Sequence, residues 1–379
     1  MAVYTTINDP EAYFQVKAYT GDGASTLALT LDGDTNMQPD LVWIKNRSST
    51  ENHALVDSVR GVGKQLLSNG ATAEYSNANS VKAFNSDGFS VGDLSDTNGS
   101  GNSLVAWCWK AATYGATYYS KVESGTQSNN DTASSIGITS GTISGSEWRV
   151  AVNRDSGFSI VRYDGNETAG ATVGHGLNAT PQTIIVKNRN NTEEWVVYHH
   201  KNTAAPATDH LHLNGSDATA DLNTVWNDTA PTSTVFSVGS GDIANKNGED
   251  LIAYLWSEKQ GFSKFGSYTG NGQAGISSPF VYTGFRPAWL MIKNTADTHS
   301  WSITDNRRSG YNENATFLYA DTTGTDAAYP MTSFYSNGFQ PIEAGADKGA
   351  VNQSGNVYVY WAFAEAPFVN SNGVPANAR

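Results

Sequence analysis

Three short apolar runs, each ending in a lysine and an asparagine, stand out in the hydrophobic pattern of the chain. They lie in PDLVWIKNR (39–47), PQTIIVKNR (181–189) and PAWLMIKNT (287–295). Four consecutive apolar residues fit a strand that is buried on both faces, or one whose outer face meets a neighbour. The preceding proline is expected at strand entry, where it forfeits no ladder hydrogen bond, and the lysine is expected to reach water. The markers of this motif are Pro39, Lys45 and Asn46, then Pro181, Lys187 and Asn188, then Pro287, Lys293 and Asn294.

A strand with aromatic residues at alternate positions follows each motif. These strands are LVAWCWKA (104–111), LIAYLWSE (251–258) and YVYWAFAE (358–365). A period of two is the signature of a β-strand, so each aromatic pair shares one face of its strand. The pairs are Trp107 with Trp109, Tyr254 with Trp256, and Trp361 with Phe363.

Further markers occur in the same order in all three regions. A Tyr-x-Gly turn precedes each motif, beginning at Tyr19, Tyr163 and Tyr268. The segments SDGFSVG (86–92), TVFSVG (234–239) and YSNGFQP (335–341) fall between the motif and the aromatic strand. Several markers in constant order indicate an internal repeat more strongly than any one of them does. The chain therefore contains three copies of one module, which we call the first, second and third repeats.

The sequence predicts an all-β protein of three tandem antiparallel β-sandwiches, of jelly-roll or concanavalin-like type, with little helix. Each sandwich is expected to bury its own core. The 16-residue stretch 52–67 has some helical periodicity, but two glycines interrupt it, and we expect it to be extended with a short turn. The predicted boundaries are an N-terminal docking arm (1–12), the first module (13–112), a linker or long loop (113–156), the second module (157–262), the third module (263–366) and a C-terminal tail (367–379).

Composition supports this prediction and limits the classes of partner. The chain has 379 residues, of which 16% are charged, and a formal net charge of −13. A nucleic-acid groove needs clustered lysine and arginine, which the sequence lacks, and no apolar run is long enough to span a membrane. The start, MAVYTTINDPEAYF, does not resemble an export signal, so we expect synthesis in a cytoplasm without ordinary secretion. Cys108 is the only cysteine, and its apolar neighbours predict a buried, inert thiol.

Metal sites have weak support in the sequence. Asp32, Asp34 and Asn36 alternate as at the start of a calcium loop, but the twelfth position is Trp43 rather than a carboxylate. His210 and His212 would share a strand face and could bind zinc, yet this pair does not recur in the other repeats. We therefore expect no metal and no cofactor.

Catalytic residues are equally hard to find. Asp57 and Asp305 occupy similar repeat positions, but we expect each to pair with a nearby arginine (Arg60, and Arg307 or Arg308) at the surface and to fix a turn. No motif of a nucleophile or a phosphate loop is present. The tryptophans could stack on sugars, although packing in a β-sandwich core is the default expectation. A repeat without a repeated polar constellation favours binding or scaffolding, and we expect no enzyme.

Several sequence motifs of the chain resemble those of virion structural proteins of tailed bacteriophages, especially marine and cyanobacterial phages. The shared motifs include PDLVWIKNR, FNSDGFSVG, VAWCWKAA, GFSIVRYDGN and WAFAEAPFVNSNGVPANAR, and the resemblance runs from about Ala12 to Arg379. It implies a virion component built from concanavalin-like modules, and it implies no catalytic residue. The second repeat departs most, since TAPTST replaces the SDG turn.

These observations lead to one expected function and two alternatives. We expect a non-enzymatic protein of the tail or tail-fibre apparatus that is released by lysis, contacts other virion proteins and recognises a host-surface glycan. Rotational symmetry in virion appendages favours a homo-oligomer, either a trimer or a hexamer. A capsid decoration protein is the first alternative. A polysaccharide depolymerase is the second, and it would need paired carboxylates in a groove.

Overall fold

The computed structural model describes residues 4–111, 141–143, 148–309, 312, 316–343 and 345–375, which form β-strands in several antiparallel sheets. Among these residues no helix exceeds four residues: the α-helices are Ser95–Asn98 (α1), Asn223–Trp226 (α2), Asp242–Asn245 (α3) and Lys348–Val351 (α4), with 3-10 turns at Pro10–Ala12 and Gly275–Ser277. The all-β prediction is confirmed. The chain is rich in turn residues and poor in the residues that stabilise helices.

The strands follow the order of the three repeats. The first repeat contains Phe14–Thr20 (β1), Leu27–Leu29 (β2), Leu41–Asn46 (β3), His53–Asp57 (β4), Lys64–Gln65 (β5), Tyr75–Ser76 (β6), Val81–Asn85 (β7), Gly88–Val91 (β8) and Ser103–Trp109 (β9). The second contains Arg149–Asn153 (β10), Phe158–Asp164 (β11), Ala171–Gly174 (β12), Thr183–Asn188 (β13), Val196–His199 (β14), Asp209–His212 (β15), Ala220–Asp221 (β16), Val235–Val238 (β17) and Asp250–Trp256 (β18). The third contains Ser263–Thr269 (β19), Val281–Tyr282 (β20), Phe285–Asn294 (β21), Ser302–Asp305 (β22), Leu318–Tyr319 (β23), Thr332–Tyr335 (β24), Gly338–Pro341 (β25) and Val357–Pro367 (β26).

Each repeat contributes one main sheet, and the three sheets share the order of four strands, to which the second and third repeats add further strands at the edges. The orders are β1-β9-β3-β4, β10-β11-β18-β13-β14-β15-β16 and β19-β26-β21-β22-β23. In each sheet the Lys-Asn strand lies between the aromatic strand and the next strand along the chain. The registers also correspond, because Trp43, Ile185 and Met291 lie opposite Trp107, Tyr254 and Trp361 respectively. The three repeated motifs therefore occupy equivalent positions.

A smaller sheet covers one face of each main sheet. These smaller sheets are β2-β8-β7, β12-β17 and β20-β25-β24. In the first repeat, for example, Ile44 and Cys108 of the main sheet pack with Phe89 and Val91 of the smaller sheet. Similar clusters fill the second and third repeats. Each repeat thus has an apolar core of its own between two sheets.

The opposite faces of the three main sheets meet in one shared core. Its members come from all three repeats and include Trp43, Trp107, Ile185, Tyr254 and Trp361. The expectation that each sandwich buries only its own core is therefore incomplete. The four-residue apolar runs are buried on both faces because one face meets the smaller sheet and the other meets the neighbouring repeats.

The prolines differ in their placement. Pro39 and Pro181 precede β3 and β13, as expected from the missing N–H group. Pro287 lies inside β21, which begins at Phe285, and the pairing of β21 with β26 shifts register on both sides of it. The prediction of strand entry is wrong for Pro287, since a β-bulge accommodates the proline there.

The peripheral predictions fall partly within the described residues. The stretch 52–67 is extended through β4 and β5 with a turn between them, as predicted. Most of the predicted linker lies outside the described residues. The described part of the N-terminal arm contacts the second and third modules: Thr5 Oγ1 donates to Gln260 O and Tyr4 Oη donates to Gly284 O, both over 2.8 Å. Asn8 Nδ2 donates to Ser371 Oγ of the C-terminal tail over 2.6 Å.

Candidate functional site

The repeated aromatic residues converge at the centre of the shared core. The second aromatic residue of each pair, Trp109, Trp256 and Phe363, contacts the other two, with ring-centroid distances of 6.3 Å, 5.6 Å and 6.5 Å. None of the three side chains is more than 5% exposed. The aromatic markers therefore form the axis around which the three sheets pack. The expectation that the tryptophans pack in the core is confirmed, and eight of the ten are buried in the shared core. These are Trp43, Trp107, Trp109, Trp195, Trp256, Trp289, Trp301 and Trp361.

The first aromatic residue of each pair donates a hydrogen bond to the neighbouring repeat. Trp107 Nε1 donates to Asp305 Oδ2 of the third repeat over 3.0 Å. Tyr254 Oη donates to Asp57 Oδ2 of the first repeat over 2.7 Å. The third such bond, from Trp361 Nε1 to Thr183 Oγ1 of the second repeat, is 2.9 Å long. The bonds run from first to third, second to first, and third to second, which is the cyclic order of a trimer.

A second set of bonds has the same cyclic order. His53 Nε2 lies 3.1 Å from Tyr319 O of the third repeat. In the second and third repeats tryptophan occupies the corresponding position, directly before β14 and β22. Trp195 Nε1 donates to Leu67 O of the first repeat, and Trp301 Nε1 donates to His212 O of the second, both over 2.8 Å. Burial lowers the pKa of His53 well below its usual value, so the ring is neutral and can donate from Nε2. Histidine and tryptophan thus serve the same purpose here, because each presents a planar ring N–H group.

The repeated lysines are buried and do not reach water, so the prediction of a solvated strand end is wrong. Lys45, Lys187 and Lys293 have no exposed surface. Lys293 Nζ donates to His299 O, Asn294 O and Ser216 O over 2.8, 2.9 and 2.9 Å. Three carbonyl dipoles replace the water that an ammonium group loses on burial. Sequence periodicity could not show this, because Ser216 belongs to the second repeat.

The lysines differ in how far they reach. Lys45 Nζ also bonds across repeats, to Thr323 O of the third repeat over 3.1 Å, besides two carbonyls of its own turn. Lys187 Nζ bonds to Asn188 O and Asn191 O of its own turn. Burial lowers the pKa of all three lysines to about 8. Lys45 and Lys293 therefore join repeats as well as shaping a turn.

The asparagine after each lysine ties the strand end to a short helix. Asn46 Oδ1 accepts from the N–H groups of Ser48 and Ser49, both over 3.1 Å, and Asn188 and Asn294 make the same turn. Their Nδ2 groups donate to carbonyls of α1, α3 and α4 respectively, at Ser95, Asp242 and Gly349. The Lys-Asn pair thus has the same structural role in all three repeats: it shapes a turn and joins the strand end to a short helix.

The aspartate–arginine pairs predicted at the surface are buried. Asp57 bonds Arg60, and Asp305 bonds Arg308 over 2.6 Å, with no exposure of these four side chains. The partners were predicted correctly, but the prediction that the pairs lie at the surface is wrong. Arg60 also donates to Glu74, to two carbonyls and to Tyr254 Oη. Removal of one member of such a network leaves a buried charge without compensation.

These networks extend across two of the three boundaries between repeats. Glu74 joins Arg60 to Arg189 of the second repeat, and Asp326 joins Arg308 to Arg47 of the first. At the third boundary the equivalent residues are neutral: Thr219 Oγ1 donates to Asn202 Oδ1 over 2.7 Å, and Thr219 N donates to Thr295 O. Asparagine and threonine here replace both the arginines and the carboxylate of the other two boundaries. Because both kinds of residue change together, no arginine or carboxylate of these equivalent positions is left without its partner.

Groups suited to acid–base chemistry lie in structural surroundings. Burial, together with a hydrogen bond to Glu51, raises the pKa of Asp96 to about 6. Asp96 is 6% exposed and accepts from Gln65 Nε2 over 3.0 Å, which braces α1 against β5. Asp96 therefore has a structural role in joining these two elements.

The metal candidates gain no support from the geometry. His210 and His212 lie together with ring centroids 5.0 Å apart, and His212 Nδ1 lies 3.2 Å from Glu194 Oε2. Asp32 pairs with Lys17 at the surface. Within the described part of the chain no three histidine, cysteine or carboxylate side chains are grouped as a metal site. The buried Cys108 has a raised pKa owing to burial, in keeping with the inert thiol predicted.

A small cavity lies inside the shared core. Its volume is about 20 Å³, and Trp43, Ile185, Tyr254, Met291 and Phe363 are among its lining residues. A water molecule needs about this much space, but it also needs two to four polar partners, which an apolar lining does not supply. The cavity is a packing defect where three sheets meet.

In the third repeat, three exposed apolar side chains lie close together in sequence. Ile276, Phe280 and Tyr282 are 92%, 48% and 53% exposed, and we call them the third-repeat patch. The rings of Phe280 and Tyr335 meet edge to face with centroids 5.8 Å apart. Sequence reasoning missed this patch, because its residues lie outside the repeated motifs. The signal that could have revealed it is a longer loop in this repeat alone.

Comparison with known proteins gives a family without an assigned activity. None of the short helices in the described residues could cross a membrane. No curated protein matches the chain, and no solved structure matches it. The family model described as a domain of unknown function, DUF7483, matches residues 9–367. The chain therefore belongs to the DUF7483 family.

Proposed function

We propose that the chain is a non-enzymatic structural component of a tailed-phage virion, in the tail or tail-fibre apparatus, and that it recognises a glycan of the host surface. The observation that carries the proposal is the use of the repeated residues. Trp109, Trp256 and Phe363 form an axis, and the Lys-Asn pairs lock turns, so the repetition serves a rigid body. The resemblance of the sequence motifs to those of phage virion proteins supports the assignment to a virion.

We further propose that each repeat is a jelly-roll or concanavalin-like sandwich. The facing sheets and their apolar clusters support this assignment. Such sandwiches hold their connecting loops rigidly while the loops vary, which suits surface recognition. Cyclic contacts between repeats also suit an appendage with rotational symmetry, because one chain reproduces within itself the arrangement of a trimer. A trimer or hexamer of the whole chain stays a prediction, which sedimentation equilibrium tests.

Two experiments test the proposed function. Antibody labelling of virions should place the chain at the tail, and uniform labelling of the capsid would contradict the tail assignment. Purified protein added to host cells should reduce phage adsorption in a dose-dependent way. Unchanged adsorption at saturating protein would contradict host recognition. A reducing-end assay on host polysaccharide should show no release, and release would contradict a non-enzymatic role.

A further inference from the structure

Two members of the third-repeat patch, Ile276 and Phe280, lie on a loop that is longer than its equivalents, and Tyr282 follows this loop in β20. The connection between β1 and β2 spans 21–26, and that between β11 and β12 spans 165–170, whereas the connection between β19 and β20 spans 270–280. The additional residues place Ile276 at the surface with 92% exposure. The three repeats otherwise use equivalent residues for their cores. An addition to one repeat that exposes apolar side chains indicates a role outside the folding of the module.

The loop is held in one shape by hydrogen bonds from side chains at its base. Gln340 Nε2 donates to Ser278 O over 3.0 Å, and Tyr335 Oη donates to Gln340 Oε1 over 2.7 Å. Asn271 Nδ2 donates to Ser277 O over 2.8 Å, and Asn352 Nδ2 donates to Gln273 O over 2.7 Å. The rings of the patch therefore need little further ordering when a ligand arrives, which lowers the entropic cost of binding.

Hydroxyl groups border the exposed rings. Tyr282 Oη lies 3.2 Å from Tyr4 Oη, and Tyr4 Oη donates to Gly284 O over 2.8 Å. Tyrosine offers a broad apolar face and a polar edge with only two rotatable side-chain bonds. A patch of this kind can cover an apolar surface and make hydrogen bonds at its border.

Charge is missing from the segments that build the patch. Residues 269–285 and 329–342 contain no Asp, Glu, Lys, Arg or His, in a chain with 59 acidic and basic side chains (23 Lys and Arg, 36 Asp and Glu). The equivalent loops in the first and second repeats contain Asp22 and Glu167. A charged ligand would lose water here without gaining an opposite charge. The complementary ligand is therefore uncharged, with an apolar face and hydroxyl groups at its edge.

We propose that the third-repeat patch binds a neutral saccharide, whose C–H faces stack on Phe280 and Tyr282 while its hydroxyl groups bond to the tyrosine hydroxyls and loop amides. This assignment rests on the proposed function, since it gives the host-surface contact a place and a chemical class. Pyranose rings combine an apolar face with hydroxyl groups at the rim. A peptide surface could cover the same rings, so the experiment must distinguish the two.

An immobilised polysaccharide panel tests the assignment with the full-length chain. The panel contains neutral polymers (dextran, mannan and galactan) and acidic ones (alginate and polygalacturonate). Wild-type protein should bind at least one neutral polymer, and the double variant Phe280→Ser/Tyr282→Ser should bind it at least 10-fold more weakly. The matched control is Leu222→Ser, because Leu222 is also 49% exposed but lies in the second repeat. Its affinity should equal that of the wild type, and all three proteins should show the same unfolding midpoint.

Ionic strength supplies an independent readout. Binding to a neutral ligand should change less than twofold between 50 and 500 mM NaCl, because no charge pair is screened. Preference for the acidic polymers, or a steep loss of affinity with salt, would overturn the assignment. Equal affinity of the double variant and the wild type would do the same.

Failure of this assignment can be told apart from failure of the proposed function. If the wild type blocks phage adsorption and the double variant blocks it equally, host recognition stands and the patch is not its site. If the double variant instead loses binding to another virion protein in a pull-down from disrupted particles, the patch is a protein contact and the saccharide assignment is overturned. The saccharide assignment is supported if the double variant, but not the Leu222→Ser control, loses both polysaccharide binding and adsorption blocking.

Discussion

Replacement of Arg60 by methionine should destabilise the whole chain, although Arg60 lies far from the aromatic axis in sequence. Its guanidinium group bonds Asp57, Glu74, Tyr254 Oη and two carbonyls, and its side chain has no exposure. Methionine fills much of the volume but leaves Asp57 without its cation, while Glu74 keeps only Arg189. Breaking a buried ion pair from one side costs about 3–5 kcal/mol, so we expect a loss in that range.

The matched control is Arg307→Met. Arg307 Nη2 lies 3.2 Å from Glu11 Oε1, and the two side chains are 41% and 27% exposed. An exposed pair contributes at most about 1 kcal/mol, so this variant should unfold at nearly the wild-type urea concentration. Both free energies of unfolding are measured by urea titration, with tryptophan fluorescence as the signal.

A second substitution separates charge from packing. Adding Asp57→Asn to Arg60→Met removes one uncompensated carboxylate, and we expect it to recover about 0.5–3 kcal/mol of the loss. The reasoning is refuted if Arg60→Met costs no more than Arg307→Met, or if Asp57→Asn adds its full destabilisation to that of Arg60→Met. Either result would mean that the network across the first boundary contributes little.

Three further predictions follow from the buried lysines and from the cyclic packing. Lys45→Met and Lys293→Met should each lower the free energy of unfolding by about 2–4 kcal/mol, because three carbonyls lose their donor. Lys187→Met should lower it by less. Equal losses for the three variants in urea titrations would contradict the cross-repeat role. Each buried lysine has a pKa of about 8 in the folded chain and 10.5 in the unfolded chain. Between these pH values the folded chain binds fewer protons than the unfolded chain, so the free energy of unfolding should rise with pH from about 8. The rise between pH 7 and 9.5 should be on the order of 2 kcal/mol per lysine, and the triple Lys→Met variant should lack it; a fall in the wild type over that range would contradict the burial. Cleavage at a protease site inserted in 125–135 should leave the two fragments associated, and their separation on size-exclusion chromatography without denaturant would show that the contacts between repeats do not suffice.

Local pattern predicted the strands well. The runs LVWI, TIIV and WLMI have one apolar residue after another, which left two possibilities: burial on both faces or contact with a neighbour. Alternation in the closing strands assigned Trp107 and Trp109 to one face and Cys108 to the other, as the structure has them. Period-two patterns report which residues share a face, so this part of the fold was accessible from the sequence.

Contacts between repeats were not accessible in the same way. Lys45 was expected in water because a lysine usually is, yet one of its acceptors, Thr323 O, lies 278 residues away in sequence. Asp57 was expected at the surface because the partner that buries it, Tyr254, belongs to another repeat. A single sequence gives the period of a pattern but not the element that covers it.

The candidate binding surface was missed for a different reason. Attention to what the repeats share passes over what only one of them has. Ile276 lies in a loop, and Tyr282 follows it in β20. This loop differs from its two equivalents in length and in charge, and both differences can be read in the sequence once the repeats are aligned. Departure from the repeat was the available signal.

Differential scanning calorimetry tests most directly whether the three repeats form one body around a shared core. At about 0.7 kcal/mol per residue near 60 °C, unfolding of 379 residues should absorb roughly 270 kcal/mol. We predict a single transition whose van't Hoff enthalpy equals the calorimetric value. Two or three transitions, or a van't Hoff enthalpy near one third of the calorimetric value, would show repeats that unfold independently and would contradict the shared core.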